Sequence, residues 1–326
     1  MSQSEANIAA TAPRSANSSV RIWTVPEFRL VLAVLIGAAL LASQSPAFLT
    51  GRNLSSVLLG FSFAGIAAIG QLLVIITGRI DLSSGSVMGL AGMVCALVTV
   101  TLGWGMWPGI AAGLATGIAC GAFNAFFTVR FGITSFIVTL GTLQIARGIT
   151  VGLTEGNTVT GFPDLFLWLG SGTILGLPIP LIVLAVVALS VGALLRYTGV
   201  GREIYAIGGN ETAARLAGVA VSRLQIAVFV ASGALAGLAG VLLTARLGAA
   251  VSNAASGYEL TIIASVVIGG ASLAGGSGTT LGVILGALLI ALVNNALVLL
   301  TVPTYWQQTF IGGVIVAAAL LDRFRR

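Results

Sequence analysis

Lysine and histidine are absent from the 326 residues, and aspartate and glutamate together number 9, so that only 7% of the chain is charged. A soluble domain carries about 25% charged residues, and a chain this poor in charge cannot cover itself with a water-facing surface. Without histidine there is no histidine-based triad. Without lysine there is no glycine-rich loop ending in Gly-Lys-Ser/Thr, so the chain has no ATP-binding P-loop of its own. The two cysteines, Cys95 and Cys120, lie inside apolar runs without metal-like or redox-like spacing and read as small core residues. Acids within the runs are scarce, since Asp81, Glu155, Asp164, Glu203, Glu211 and Glu259 fall near run ends or between runs. A carrier driven by protons or sodium usually keeps ionisable groups near the membrane midplane, and that machinery is not visible. Catalytic residues, metal ligands and a cofactor site are therefore not expected on this chain.

What the chain has in abundance is apolar sequence, 57% of all residues. It comes in repeated runs of the roughly 18 to 25 residues that a helix needs to cross a hydrocarbon core of about 30 Å. The runs do not alternate as barrel strands would. They predict an all-α, polytopic bundle of about ten helices, near 28–47, 54–77, 84–103, 107–129, 133–152, 178–196, 225–245, 259–275, 279–299 and 305–322. Around this single domain (28–322) the sequence suggests a disordered polar tail over 1–27, a long loop at 197–224 and a basic tail at 323–326. All the positive charge is arginine. With ten spans, Arg14, Arg21, Arg29, Arg79, Arg130, Arg196, Arg202, Arg215, Arg223, Arg323, Arg325 and Arg326 share one side, and Arg52 and Arg246 the other. Positive residues accumulate on the cytoplasmic side of a membrane, which predicts cytoplasmic termini. The same bias accounts for the net charge of +6 without a nucleic-acid partner.

Glycine recurs at four-residue spacing, at Gly85 and Gly89, at Gly113, Gly117 and Gly121, at Gly233 and Gly237, and at Gly282 and Gly286. Such spacing lets helix backbones approach closely. Residues 78–86 (GRIDLSSGS) parallel 269–277 (GGASLAGGS), which suggests an old parallel duplication. Polar residues inside spans must find partners within the bundle. Gln71, Asn124, Gln144, Asn294 and Asn295 are thus candidates for a translocation path or for helix-to-helix hydrogen bonding. Arg147, about five residues from a span end, is a further path candidate, or a side chain that snorkels to the interface.

In the long loop, Asn210 can cap a short helix, Glu211 suits its first turn, and Gly218 can end it. Ala213, Ala214, Leu216 and Ala217 give that helix a small apolar surface, and Arg202, Glu211 and Arg215 supply charge. It reads either as an interfacial connector or as an element that docks into a groove on a soluble partner.

Several separate segments carry a closer likeness. They are Ile80, Asp81, Leu82, Ser83 and Gly85; Phe136 to Gly141 (FIVTLG); Ala206 to Glu211 with Ala213, Ala214, Arg215 and Gly218; and Gly257, Tyr258, Glu259 and Leu260. Gly269, Gly270, Ser272, Leu273, Gly275, Gly276, Gly278 and Thr279 follow, and then Trp306, Gln307 and Gln308. Over residues 54–321 the chain resembles the permease subunits of bacterial ABC monosaccharide importers of the ribose, xylose, arabinose and galactose type. The resemblance implies a pore-forming subunit in the inner membrane, paired with a second permease copy or a related permease. It also implies an ATP-binding subunit with two nucleotide-binding halves, which would hold ATP and magnesium, and a periplasmic sugar-binding protein. On this reading the helix from Asn210 to Gly218 is the coupling helix, with Arg202 beside it, and the turns at Asp81 and at Ser272, Gly275 and Gly276 lie next to it. Two departures stand out: the family usually has glycine where this chain has Arg79, and a proline near Thr134 and Ser135. A self-contained secondary carrier or channel for a small polar solute is the alternative.

Overall fold

The computed structural model describes residues 26–303, together with 306, 309, 310, 312 and 313. Nearly all of the expected N-terminal tail, most of the expected tenth span and the basic tail at 323–326 fall outside the described residues. Helices dominate: α1 (Pro26–Gln44), α2 (Gly51–Ile76), α3 (Ser84–Ala96, continued by a π-helical turn at Leu97–Thr101), α4 (Met106–Ala125, with a second π-helical turn at Phe126–Arg130) and α5 (Ser135–Gly152). After them come α6 (Asp164–Ser171), α7 (Ile179–Tyr197), α8 (Gly199–Gly209), α9 (Glu211–Leu216), α10 (Val221–Leu247), α11 (Tyr258–Ile268) and α12 (Thr280–Leu299). Among the described residues, eight helices (α1 to α5, α7, α10 and α12) are long and apolar enough to cross a membrane.

Local chemistry sets the helix ends. Thr50, Thr198, Asn210 and Thr279 each accept a hydrogen bond from the backbone N–H three residues on, at 3.4, 3.1, 2.9 and 3.0 Å, which satisfies one of the amides that a helix start leaves open. Gly248 closes α10 in the left-handed region at φ +64°, a conformation that costs glycine little.

At the centre stands α2, apolar all round and buried from Phe61 to Ile76, against α7, α10, α11 and α12. The most extensive helix pairing joins α4 to α10. There Gly113, Gly117 and Gly121 meet Gly233 and Gly237 backbone to backbone; a Cβ on Gly117 would lie 2.9 Å from the Gly237 Cα. Dispersion between closely opposed backbones stabilises such crossings where no water is available to drive burial. Arg79, Arg130, Arg196 and Arg223 mark one end of the bundle, hereafter the arginine-rich end. Arg52 and Arg246 mark the far end, where Val159–Thr160 pairs antiparallel with Ala249–Ala250.

One expected span is corrected. Instead of a helix over 259–275 there is α11, 11 residues long. At 1.5 Å per residue that is roughly 16 Å, half of what a bilayer requires. Left-handed Ala255 (φ +53°) and Gly257 (φ +82°) delay its start, and the Gly269–Gly270 pair ends it. From the far end the chain therefore descends as irregular backbone through 251–257, and only then winds into a helix. Two further helices were not expected. The first, α6, follows Pro163 and packs Gly170 on the backbone of Ala245 and Arg246; the second, α8, buries Ile204 and Ile207.

Candidate functional site

Three segments converge at the arginine-rich end: the turn 77–83 between α2 and α3, the turn 269–279 between α11 and α12, and the loop formed by α8 and α9. The two turns are the pair whose sequences resemble one another, and they touch. Gly276 donates its N–H to Ile76 O at 2.9 Å, and a Cβ on Gly78 (φ +75°) would sit 3.5 Å from Ala274 O. The end of α8 lies against both. Gly208 fits between Ile76 and Gly276, and the Tyr205 hydroxyl donates to Gly278 O at 2.7 Å. Within the second turn, Gly275 donates to Ser272 O and Ala274 to the Ser272 hydroxyl, at 2.9 and 3.2 Å. Asp81, Ser272, Gly275 and Gly276 thus lie in the two turns that flank the base of the loop.

Helix α9 has the predicted cap. Asn210 Oδ1 accepts from Ala213 N at 2.9 Å, and Gly218 (φ +87°) reverses the chain. Ala214 does not belong to the outward surface, as it is buried against Ile207 and Val221 and anchors the helix. The outward face is formed by Ala213, Leu216 (85% exposed) and Ala217 with Arg215, and Arg202 on α8 is also exposed. Glu211 gathers the charges. It accepts from Arg215 at 3.0 Å and from Gln225 Nε2 on α10 at 3.2 Å, and Arg79 stands 3.5 Å away.

The turn at 77–83 is fastened from within. The Gln71 carboxamide, oriented with its nitrogen toward Asp81 O, bridges that carbonyl and the Asp81 N–H at 3.0 and 3.2 Å. Ile80 and Leu82 donate their N–H groups to Ser135 and Thr139 of α5, at 3.2 and 3.0 Å. Asp81 itself is 2% exposed and accepts from Ser83 N and Ser83 Oγ at 2.8 and 2.6 Å. Asn124 on α4 donates to Ser83 Oγ at 2.9 Å and accepts from Thr142 on α5 at 2.6 Å. Gln71 and Asn124, read from sequence as path candidates, hold this turn, and such buried networks stabilise one arrangement when every member is paired.

Burial pushes the Asp81 carboxyl above its ordinary range, against the lowering effect of the two Ser83 hydrogen bonds. A carboxyl raised in the folded state holds its proton longer there than when unfolded. Its contribution to stability is therefore complete below the ordinary aspartate range and is lost as pH rises through the folded value. Asp81→Asn is expected to flatten the thermal midpoint against pH from the ordinary aspartate range upward, with the largest gain over wild type at the high end. Calorimetry or intrinsic fluorescence in detergent reads it, and parallel curves for the two proteins would refute it.

Arg147 answers the problem set by the broken crossing. Irregular backbone at membrane depth persists only where it is buried in protein or lines a water-filled cavity. The Arg147 Nη1 donates to Ser252 O and Ala254 O at 3.4 and 2.9 Å, beside Gly89. Gly85 and Gly89 leave room for this descending segment and for Glu259. Sequence had offered a path role or snorkelling; in the structure the guanidinium is bonded to carbonyls that lie outside the α11 ladder.

Asn294 and Asn295 line a cavity of about 700 Å³ between α2, the start of α11 and α12. Asn53, Ser56, Tyr258, Thr261 and Gly312 are also in its wall. Asn295 and Asn53 exchange amide hydrogen bonds at 2.7 and 3.1 Å. Gln144 is elsewhere, on the exposed face of α5 with Gly141 and Gly148. Sequence reasoning did not find the Arg79 contacts or Asn53, and it singled out Tyr258 only for the resemblance, not for the cavity wall. The only hint of Asn53 was its place beside the capping Thr50.

Residues 53–319 match the family model described as branched-chain amino acid transport system / permease component. The ribose import permease protein of Escherichia coli (strain K12) is 42% identical over 306 residues, 93% of this chain and 95% of that protein. The D-allose transport system permease protein of the same strain is 40% identical over 297 residues, 90% of each chain. An L-arabinose ABC transporter permease protein of Azospirillum brasilense is 36% identical over 320 residues, 98% of this chain and 93% of that one. No solved structure matches the chain.

Proposed function

The chain belongs to the branched-chain amino acid transport system permease family, and on that premise we propose that it is the membrane-spanning subunit of an ATP-binding-cassette importer of a small sugar. The observation that carries this reading is the sugar named for each relative, ribose, D-allose or L-arabinose, in matches that span at least nine-tenths of both chains. The arrangement at the arginine-rich end supports the division of labour. A short capped helix presents Ala213, Leu216 and Ala217 outward and is anchored inward by Ala214, which suits docking into a groove on a soluble subunit. That end faces the cytoplasm by the bias of positive charge, in the inner membrane of a bacterium.

ATP and magnesium are held by the partner subunit with two nucleotide-binding halves. A periplasmic binding protein delivers the sugar, and a second permease, identical or related, completes the path. The cavity with Asn294 and Asn295 is the section of path that this chain contributes, and its amides offer weak, exchangeable hydrogen bonds to sugar hydroxyls. Weak contacts suit passage, since tight binding would slow release.

Reconstitution tests the reading. Vesicles holding the purified chain alone are expected to take up no labelled ribose, allose or arabinose. Vesicles with its ATPase and binding protein are expected to accumulate at least one of them when ATP is enclosed. Uptake by the chain alone along an ion gradient would replace this reading with the self-contained carrier.

A further inference from the structure

Arg79 occupies a position where the resemblance leads one to expect glycine, and its side chain makes contacts that glycine could not. Its guanidinium, with 22% of the side chain exposed, lies 3.5 Å from Glu211 Oε2 on α9 and donates to Gln225 Oε1 on α10 at 3.3 Å. Gln225 is buried and in turn donates to the same Glu211 oxygen. The turn after α2 is thereby joined, in one triangle of polar contacts, to two consecutive elements more than a hundred residues further along the chain, the short helix α9 and the first turns of α10.

The same turn has a second set of attachments that starts one residue later. Ile80 and Leu82 are bonded to α5 through Ser135 and Thr139. Asp81 and Ser83 lead through Asn124 to α4 and Thr142. A displacement of α9 that moves Glu211 therefore acts on Arg79, and from Arg79 on a backbone segment with no slack, because each of the next four residues is tied to a span or to its neighbour. Arg215, by contrast, pairs with Glu211 within α9 itself and makes no such link to the turn.

We propose that Arg79 is a positioning residue that latches α9 to the turn at 77–83, so that movement of α9 is passed through this turn to α4 and α5. The inference rests on the transport reading for its consequence, but the latch is a physical contact that can be tested without transport. Coupling between sites needs an element with two arrangements that both sites bias, and the rigid unit formed by α9, Arg79 and the turn is the part that moves as one.

Amide hydrogen exchange on the permease alone in detergent is the first arm. In Arg79→Gly the amides of α9 are expected to exchange about fivefold faster, the change that follows from losing roughly 1 kcal/mol of charge-assisted contact. Arg79→Lys, which keeps the charge but loses the fork, is expected to recover part of the protection. A cycle of Arg79→Gln, Glu211→Gln and the double variant supplies the second arm, and the double variant is expected to exchange no faster than the faster single one. Unchanged α9 exchange in Arg79→Gly, or additive effects in the cycle, would overturn the latch. In the third arm, the reconstituted complex with its ATPase and binding protein is expected to import less sugar per ATP hydrolysed when it carries Arg79→Gly. An undiminished ratio would overturn the transmission. Absence of ATP-driven uptake by the wild type would instead remove the transport reading and leave the exchange result standing.

Discussion

Glu211→Lys is expected to let the complex hydrolyse ATP while importing little sugar. Glu211 sits between two arginines and is the acceptor for both Arg215 and Gln225, at 3.0 and 3.2 Å. Reversing it removes every one of those attractions and places a third cation beside Arg79 and Arg215. Its side chain is 40% exposed, so solvent screens much of the repulsion. A penalty of roughly 1–2 kcal/mol remains after that discount, equivalent to a factor of roughly 5 to 30 in the population of docked α9. Uptake per ATP in reconstituted vesicles measures it. Glu155→Lys, an exposed change of the same charge at the far end, serves as the control and is expected to leave the ratio alone. Wild-type uptake by Glu211→Lys would end the assignment of α9 as the coupling element.

The second large effect concerns folding. Gly117→Val is expected to prevent α4 and α10 from reaching their observed separation. A Cβ there already meets the Gly233 carbonyl and lies 2.9 Å from the Gly237 Cα, and both obstacles are backbone. A flexible side chain can yield, but a helix backbone moves only as a whole. Overpacking costs about 1–3 kcal/mol where side chains can adjust, so a cost of about 3 kcal/mol or more is expected at this crossing. For a chain of 326 residues that lowers the thermal midpoint by roughly 5 °C, at about 1.5 °C per kcal/mol. Gly141→Val provides the comparison, because a Cβ on Gly141 meets nothing within 4 Å. Equal midpoints for the two variants in detergent would show that the four-residue glycine spacing is not what sets this crossing.

Both predictions start from features already visible in sequence, and the reason is physical. Apolar runs report burial or lipid directly, so the long helices match their expected ranges to within a few residues. Small residues at four-residue spacing report a close helix approach, and α4 and α10 meet along that stripe. The α9 helix was legible because a cap and a left-handed glycine are local signals. Long-range partners were not. That Gln71 and Asn124 need partners follows from their burial, but that both serve the turn at Asp81 depends on how α2, α4 and α5 assemble. The α8 helix was hidden by Gly199, Gly201, Gly208 and Gly209, whose low helix propensity is offset by packing of Ile204 and Ile207. The break before α11 was hidden for another reason. Hydrophobicity reads the same whether apolar residues are helical or irregular, and left-handed Ala255 gives no sign in the sequence.

That broken crossing has a consequence for how the protein is made. A helix of 11 residues preceded by irregular backbone cannot rest alone in a bilayer, since the carbonyls of Ser252 and Ala254 would meet hydrocarbon unpaired. Residues 251–268 therefore cannot be threaded into lipid as an independent step after α10 leaves the ribosome. In the folded chain they are lodged against α3 and α5, with Arg147 in reach, and against α12 on the other flank. The crossing thus depends on an arginine more than a hundred residues earlier in the chain, without which two carbonyls of this segment lose their side-chain donor.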